Sequence, residues 1–187
     1  EGQNFFKAAG KNSNAADLGL VINKSRKTPF PYELFDIGLM FYKDSAYTRA
    51  DSSFKAYSAA LPDSIYGYFW SARALASIDT TMAMGSAVPS YQKTLDIAGL
   101  DKVRYKSYGL ESGRYLGGYN YRITKDKAAT LDYFKKALEF DTANASLLQN
   151  IKSIQSQPAP KATPPAKAPA GTKTGTGAKP VATKPPA

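Results

Sequence analysis

The sequence predicts an all-α fold built from antiparallel helix pairs. Three observations carry that reading. Apolar residues recur at helical spacing along most of the chain. No stretch alternates apolar and polar residues between hairpin turns, as a strand would. Pairs of helices resemble one another at a period of about 34 residues, which marks a stacked repeat.

The elements follow in chain order. Phe5–Ala9 is a short apolar patch. Asp17 is placed to cap a helix in which Leu18, Val21, Ile22 and Ser25 share a face, and Pro29 and Pro31 end that segment. A helix is expected over Tyr32–Lys43, then another over Tyr47–Leu61 with Ala50, Phe54, Tyr57 and Leu61 in phase. Pro62 stops it, and Asp63 or Ser64 can cap the next, Tyr66–Ile78. Helices over Ser86–Ala98, about Val103–Ile123 and Asp126–Phe140 come next. Asn144 precedes a last amphipathic helix, Ala143–Gln155, whose apolar residues are Leu147, Leu148, Ile151 and Ile154.

The repeat lies in the spacing. Leu34-x2-Ile37-Gly38-x2-Phe41 is followed by Ala50-x3-Phe54-x2-Tyr57 and then Pro62. A second copy reads Tyr68-x2-Ser71-Ala72-x2-Leu75, then Ala87-x3-Tyr91-x2-Thr94, with about three extra residues in the intervening turn. Pro89 falls in the first turn of its second helix, where the N–H groups lack intrahelical partners and proline is tolerated. A third copy offers Gly117-Gly118-x2-Tyr121, then Ala129-Thr130-Leu131-Asp132-Tyr133-Phe134 and Lys136–Asp141, with Thr142 where Pro62 stands in the first. Small residues (Gly38, Ala72, Gly118, with Ala50, Ala87 and Ala137 opposite) let paired helices approach. Large ones (Phe41, Leu75, Tyr121, Phe54, Tyr91, Phe134) fill the space between. Trp70 sits in a dense apolar run and reads as core.

These residues resemble the tetratricopeptide repeat, whose motif is Trp-x2-Leu-Gly-x2-Tyr, Ala-x3-Phe and then Pro. The likeness covers residues 32–157 and is strongest in the first copy. The run Pro62–Ala74 with Ile78-Asp79 is similar to tetratricopeptide proteins of the Bacteroidetes cell envelope. The resemblance implies a right-handed superhelix of antiparallel helix pairs, closed by a capping helix at its C-terminal end. It further implies a protein-interaction scaffold in the cell envelope or periplasm. First helices of each pair would line a concave groove that holds a peptide or partner protein. Carried onto this chain, the groove positions are Tyr32, Phe35, Leu39, Tyr42 and Lys43; then Tyr66, Phe69 and Arg73; then Ser112, Tyr115, Tyr119 and Arg122. Tyrosine and arginine dominate binding hot spots, which suits that set.

The domain reading is residues 1–30 as a degenerate or partial helical unit, 31–157 as the repeat array, and 158–187 as a disordered tail. That tail is Pro/Ala/Lys/Thr/Gly with Val181 its only large apolar residue, too little to offset the entropy of ordering. The chain has 25 basic and 15 acidic residues, net +10. Five of the bases (Lys161, Lys167, Lys173, Lys179, Lys184) lie in the tail beside no acid, so the body is only modestly basic. The chain starts at Glu1 rather than Met, which reads as a mature product or a cut piece lacking any signal peptide.

Composition also excludes chemistry. With no cysteine and no histidine, disulfides, the usual zinc sites and Cys- or His-dependent catalysis are ruled out. Most of the candidate acids Asp36, Asp51, Asp79, Glu111, Asp132 and Glu139 fall on polar helix faces or at caps, and no close pair stands out in an apolar setting. No glycine-rich phosphate loop occurs: Gly171-x3-Gly175-x-Gly177 sits in the tail rather than between a strand and a helix. No enzymatic activity, cofactor or metal is expected, and no apolar run reaches the length of a membrane span. The alternative function is polyanion or nucleic-acid binding through the lysines of the tail. Their wide spacing and the lack of interleaved aromatics weigh against nucleic acid as the main partner and leave weak contacts with anionic polymers.

Overall fold

The computed structural model describes Asn4, residues 10–28 and residues 30–157. Phe5–Ala9, Pro29 and the tail lie outside the described residues. Among those described there are eight α-helices and no strand. They are α1 (Asn12–Ser25), α2 (Pro31–Lys43), α3 (Tyr47–Ala60), α4 (Ile65–Ile78), α5 (Val88–Leu100), α6 (Lys106–Tyr119), α7 (Lys127–Leu138) and α8 (Ala145–Ser156). A single π-helical turn, Asn120–Thr124, extends α6.

Each helix packs mainly on the ones before and after it, so the array grows in one direction. The pairs are α2/α3, α4/α5 and α6/α7, with α1 in front and α8 closing the far end. Small residues set the spacing both within and between pairs. A Cβ on Gly38 would lie 2.5 Å from the Phe54 ring, and one on Gly67 would lie 2.2 Å from the Ser58 hydroxyl. Phe41, Phe54, Ile37 and Ile65 are fully buried. Each such side chain contributes about 1.5–3 kcal/mol by leaving water. Trp70 packs against both of the larger cores, touching Tyr42, Phe54 and Phe69 at ring distances of 5.2, 6.1 and 6.2 Å. It is the seam between the first and second pairs, as its core reading required.

Caps follow the sequence at the C-terminal end. Asp126 accepts from the Ala129 N–H and Asn144 from the Leu147 N–H. Ser64 occupies the N-cap of α4, but its hydroxyl bonds to the Tyr57 phenol instead.

Three expectations are corrected. First, α1 begins at Asn12, so Asp17 is not its cap; Asp17 lies mid-helix and pairs with Arg49. The buried face of α1 is Ala15, Ala16, Gly19 and Asn23, while Val21 and Ile22 are exposed. Small residues let α1 lie close on α2, and that requirement outweighs hydrophobicity.

Second, the helix expected over Val103–Ile123 is α6 plus a π-turn, and residues 101–105 are a turn. Third, the glycine that fits against the third pair's second helix is Gly117, not Gly118. A Cβ on Gly117 would lie 2.3 Å from Phe134, whereas Gly118 faces open space. The third copy is therefore displaced by one residue from the register read in sequence. Tyr121, expected as an interhelical filler, is 45% exposed in consequence.

Candidate functional site: the face of the first helices

The first helices α2, α4 and α6 carry a continuous line of aromatic side chains. The Phe35 ring meets Tyr66 at 6.1 Å, and Tyr66 meets Tyr108 edge-on at 5.8 Å. Tyr108 also packs on Phe69 at 4.7 Å. Phe35, Tyr66 and Tyr108 are each half-buried, with one part of the ring in the array and the other open. That is the amphipathic placement that suits tyrosine at a binding surface.

Beside this line, α4 and α6 are tied by charge. Arg73 donates to both carboxylate oxygens of Glu111, at 2.9 and 3.2 Å. The same guanidinium lies over the rings of Phe69 and Trp70, at 5.1 and 5.3 Å. Tyr91, reaching across from α5, donates its hydroxyl to Glu111 at 3.2 Å and stacks on Tyr115 at 4.3 Å. Burial first, and then the neighbouring carboxylate, push the Tyr91 phenol well above its ordinary range. Burial raises Tyr108 and Tyr115 too, with Asp79 the next cause at Tyr115.

An open depression of about 520 Å³ lies against this cluster, lined by Tyr91, Ser107, Leu110, Glu111, Arg114 and Tyr115. Arg114 is exposed and forms no ion pair among the described residues. The depression thus offers a stacked tyrosine pair, the aliphatic Leu110 and a guanidinium, Arg114, with no ion-pair partner among the described residues.

The residues singled out in sequence distribute unevenly. Tyr32 and Lys43 are exposed; Phe35, Leu39, Tyr42, Tyr66 and Arg73 are half-buried and accessible along one face. Phe69 is only 5% exposed and belongs to the core. Ser112 is wholly buried, so it is not on an open surface. Tyr115 and Tyr119 are half-buried, and the Tyr115 hydroxyl is enclosed without a hydrogen-bond partner among the described residues. Arg122 is exposed in the π-turn at the end of α6. The shift by one residue explains Ser112: the equivalents of Tyr32 and Phe35 are Glu111 and Arg114. Sequence reasoning did not place Glu111, Arg114 or Tyr108 on this face. The glycines at 109, 113 and 117, four apart on one helix face, were the signal that could have found them.

Of the carboxylates weighed as catalytic candidates, Asp36 is exposed on α2, and the other five are held in hydrogen bonds or ion pairs. Asp51, 7% exposed, accepts from Ser71 at 2.5 Å and Lys55 at 2.7 Å. Asp79, 4% exposed, accepts from the Met84 N–H and the Ser86 hydroxyl. Asp132 pairs with Lys136 and Glu139 with Lys102. Asp51 and Asp79 are thus buried, not on the solvated faces expected of them. Among the described residues no three acids gather as a metal site, and no helix is long and apolar enough to cross a membrane.

No protein-family model matches the chain, and no curated protein matches it. Solved structures do. The chain is similar to the C-terminal part of a TPR repeat-containing protein from Cytophaga hutchinsonii, with a TM-score of 0.70 and 27% identity over 80% of this chain and 57% of that one. It therefore spans little more than half of that chain. It is also similar to a double mutant of MamA RS-1, with a TM-score of 0.56 and 18% identity over 77% of this chain and 74% of that one. The second likeness is one of fold alone. Both agree with the stacked pairs described above: the chain has the tetratricopeptide-repeat fold, an all-α superhelix of antiparallel helix pairs.

Proposed function

We propose that this protein is a non-catalytic scaffold that holds an extended peptide or a segment of a partner protein along the face of α2, α4 and α6. The observation that carries the reading is the half-buried Phe35–Tyr66–Tyr108 line across the three first helices, with the Arg73–Glu111 pair beside it and a depression of about 520 Å³ opening at Glu111. A concave, mostly apolar surface with a few fixed polar groups is what a binding site requires. Arg73, Glu111 and Tyr91 are already fixed by mutual contacts, so little of their side-chain entropy is lost on binding.

In this reading Tyr32, Phe35, Leu39, Tyr42, Lys43, Tyr66 and Arg73 contact the partner, together with Glu111, Arg114 and Tyr115. Charges on the face are mixed and interleaved with aromatics, which favours a protein partner over a phosphate backbone. A cell-envelope location belongs to the same proposal. It is supported by the likeness of Pro62–Ala74 to envelope proteins and by the Cytophaga origin of the similar structure.

Site-specific photocrosslinking tests the proposal. A photoreactive residue is placed at Tyr32 or Arg114, and in control proteins at Lys55 or Lys93 on the outer helices. A defined partner crosslinked from the first two positions and not from the controls supports the groove. Crosslinking from the outer positions alone overturns it.

A further inference from the structure

Val103 and Leu100 are the two most exposed large hydrophobic side chains among the described residues, at 92% and 86%. They stand at the junction of α5 and α6, Leu100 ending the helix and Val103 in the turn that follows. Turns ordinarily carry Gly, Pro, Asn, Asp or Ser. The backbone here is pinned. The Asp101 N–H donates to the Ala98 carbonyl at 3.2 Å and the Tyr105 N–H to the Asp101 carbonyl at 3.0 Å. The Arg104 N–H donates to the Asp101 carboxylate at 3.0 Å. Neither aliphatic side chain leaves water in the single chain, so neither contributes to its fold by burial. One exposed aliphatic is ordinary; two held outward at a pinned turn mark a surface that is covered in use.

Beside them an open depression of about 310 Å³ lies between α5 and α7. Its lining includes the buried Leu95 and Phe140, with Gly99, Lys102 and Glu139. A Cβ on Gly99 would meet nothing within 4 Å, so there is room at that point. Gly99 and Lys102 are the chain neighbours of Leu100 and Val103. Projection and depression therefore share one patch.

The charge of the patch is close to balanced. Residues 92–106 and 132–141, which carry both features, hold six bases and five acids. Lys102 pairs with Glu139, Lys106 with Asp141 and Lys136 with Asp132. The chain as a whole has a net charge of +10, so two copies would repel over most of their surface and least of all here.

We infer that two copies of the chain pair across this patch, Leu100 and Val103 of each entering the depression of the other. A two-fold contact sets the same surface against itself, so it needs a projection and a depression side by side and charges of both signs. A polyanion or an anionic bilayer would find almost no excess charge to neutralise. An exchange of two side chains each way is small against the roughly 1,200–2,000 Å² of a permanent interface, so the dimer is weak, with Kd on the order of 0.1 mM. The patch lies on the outer helices, and the pairing does not depend on the proposed face of α2, α4 and α6. It would give the scaffold two copies of that face.

Sedimentation equilibrium of the full chain over about 5 to 500 µM tests the inference. The mean mass is expected to climb from that of one chain toward that of two. Leu100→Ser with Val103→Ser should weaken association by about tenfold or more. Gly99→Gln, which puts a side chain into the depression, should weaken it as much. An equal mixture of these two proteins should associate more than either alone, because Leu100 and Val103 of one meet the open depression of the other. Met84→Ser, at another exposed turn, should leave association unchanged. All these positions are exposed, and thermal melts verify that each variant keeps the fold. A chain that stays single throughout the range would overturn the inference. So would association indifferent to either weakening variant. Flotation of a single, unpaired chain with phosphatidylglycerol vesicles, lost on changing Leu100 and Val103, would overturn it in favour of a lipid surface.

Discussion

Arg73 on α4 clasps Glu111 on α6 through both its Nε and a terminal nitrogen, joining the first helices of two successive pairs. Glu111 is simultaneously the acceptor for Tyr91 from α5. One carboxylate thus fixes three helices at the point where the depression opens. The side chains of both partners remain more than a third exposed, so solvent screens the attraction. Arg73→Ala is expected to cost only about 1 kcal/mol of stability. Arg73→Lys should not restore it fully, because an ammonium cannot reproduce the two-pronged contact. Urea denaturation of the three proteins measures both.

The register of the third pair gives a sharper test. Gly117→Ala would drive a methyl into Phe134 and should destabilise by about 1–3 kcal/mol. Gly118→Ala meets nothing and should be neutral or stabilise by up to about 1 kcal/mol through helix propensity. Equal effects of the two substitutions would contradict the packing of α6 on α7. Thermal denaturation separates them.

Alkaline pH should weaken the fold through Tyr91. Its folded-state pKa is raised above the ordinary phenol value of about 10, chiefly by burial. The unfolded chain therefore loses the proton first. The contribution is fully present below pH ~10 and is lost as pH rises from there toward the folded value, at up to about 1.4 kcal/mol per unit. Tyr91→Phe should flatten the fall in stability between pH 9 and 11 on urea titration, by roughly that slope. An unchanged slope would place the alkaline sensitivity elsewhere.

Asp51 supports the cleft between α3 and α4 from within. Replacing it with Ala would leave the buried Ser71 hydroxyl short of its acceptor, with an expected cost of about 1–3 kcal/mol. Asp36→Ala, at an exposed carboxylate on α2, should change stability by less than about 0.5 kcal/mol. Denaturant midpoints of the two variants compare them directly.

The first pair was legible because Ile37, Gly38, Phe41, Ala50, Phe54 and Tyr57 each occupy the position their size suits, and all are buried. The third was harder because Gly117 and Gly118 fit the same motif position equally well in sequence. Only the ring of Phe134 chooses between them. The face of α1 was misread for a related reason. Ala15, Ala16 and Gly19 carry little hydrophobic signal, yet their smallness is what permits close packing, while Val21 and Ile22 drew attention and lie outside. The burial of Asp51 was invisible because its partner Ser71 lies on another helix, twenty residues away. Composition said enough to exclude histidine and cysteine chemistry.

The most direct measurement of the central claim is partner affinity across matched substitutions, by isothermal titration with the partner that crosslinking defines. Tyr66→Ala and Arg114→Ala should each weaken binding by about tenfold or more, as hot-spot residues do. Lys93→Ala on the outer face should leave it within about twofold. Loss of affinity confined to the outer substitution, with the inner two inert, would contradict the account.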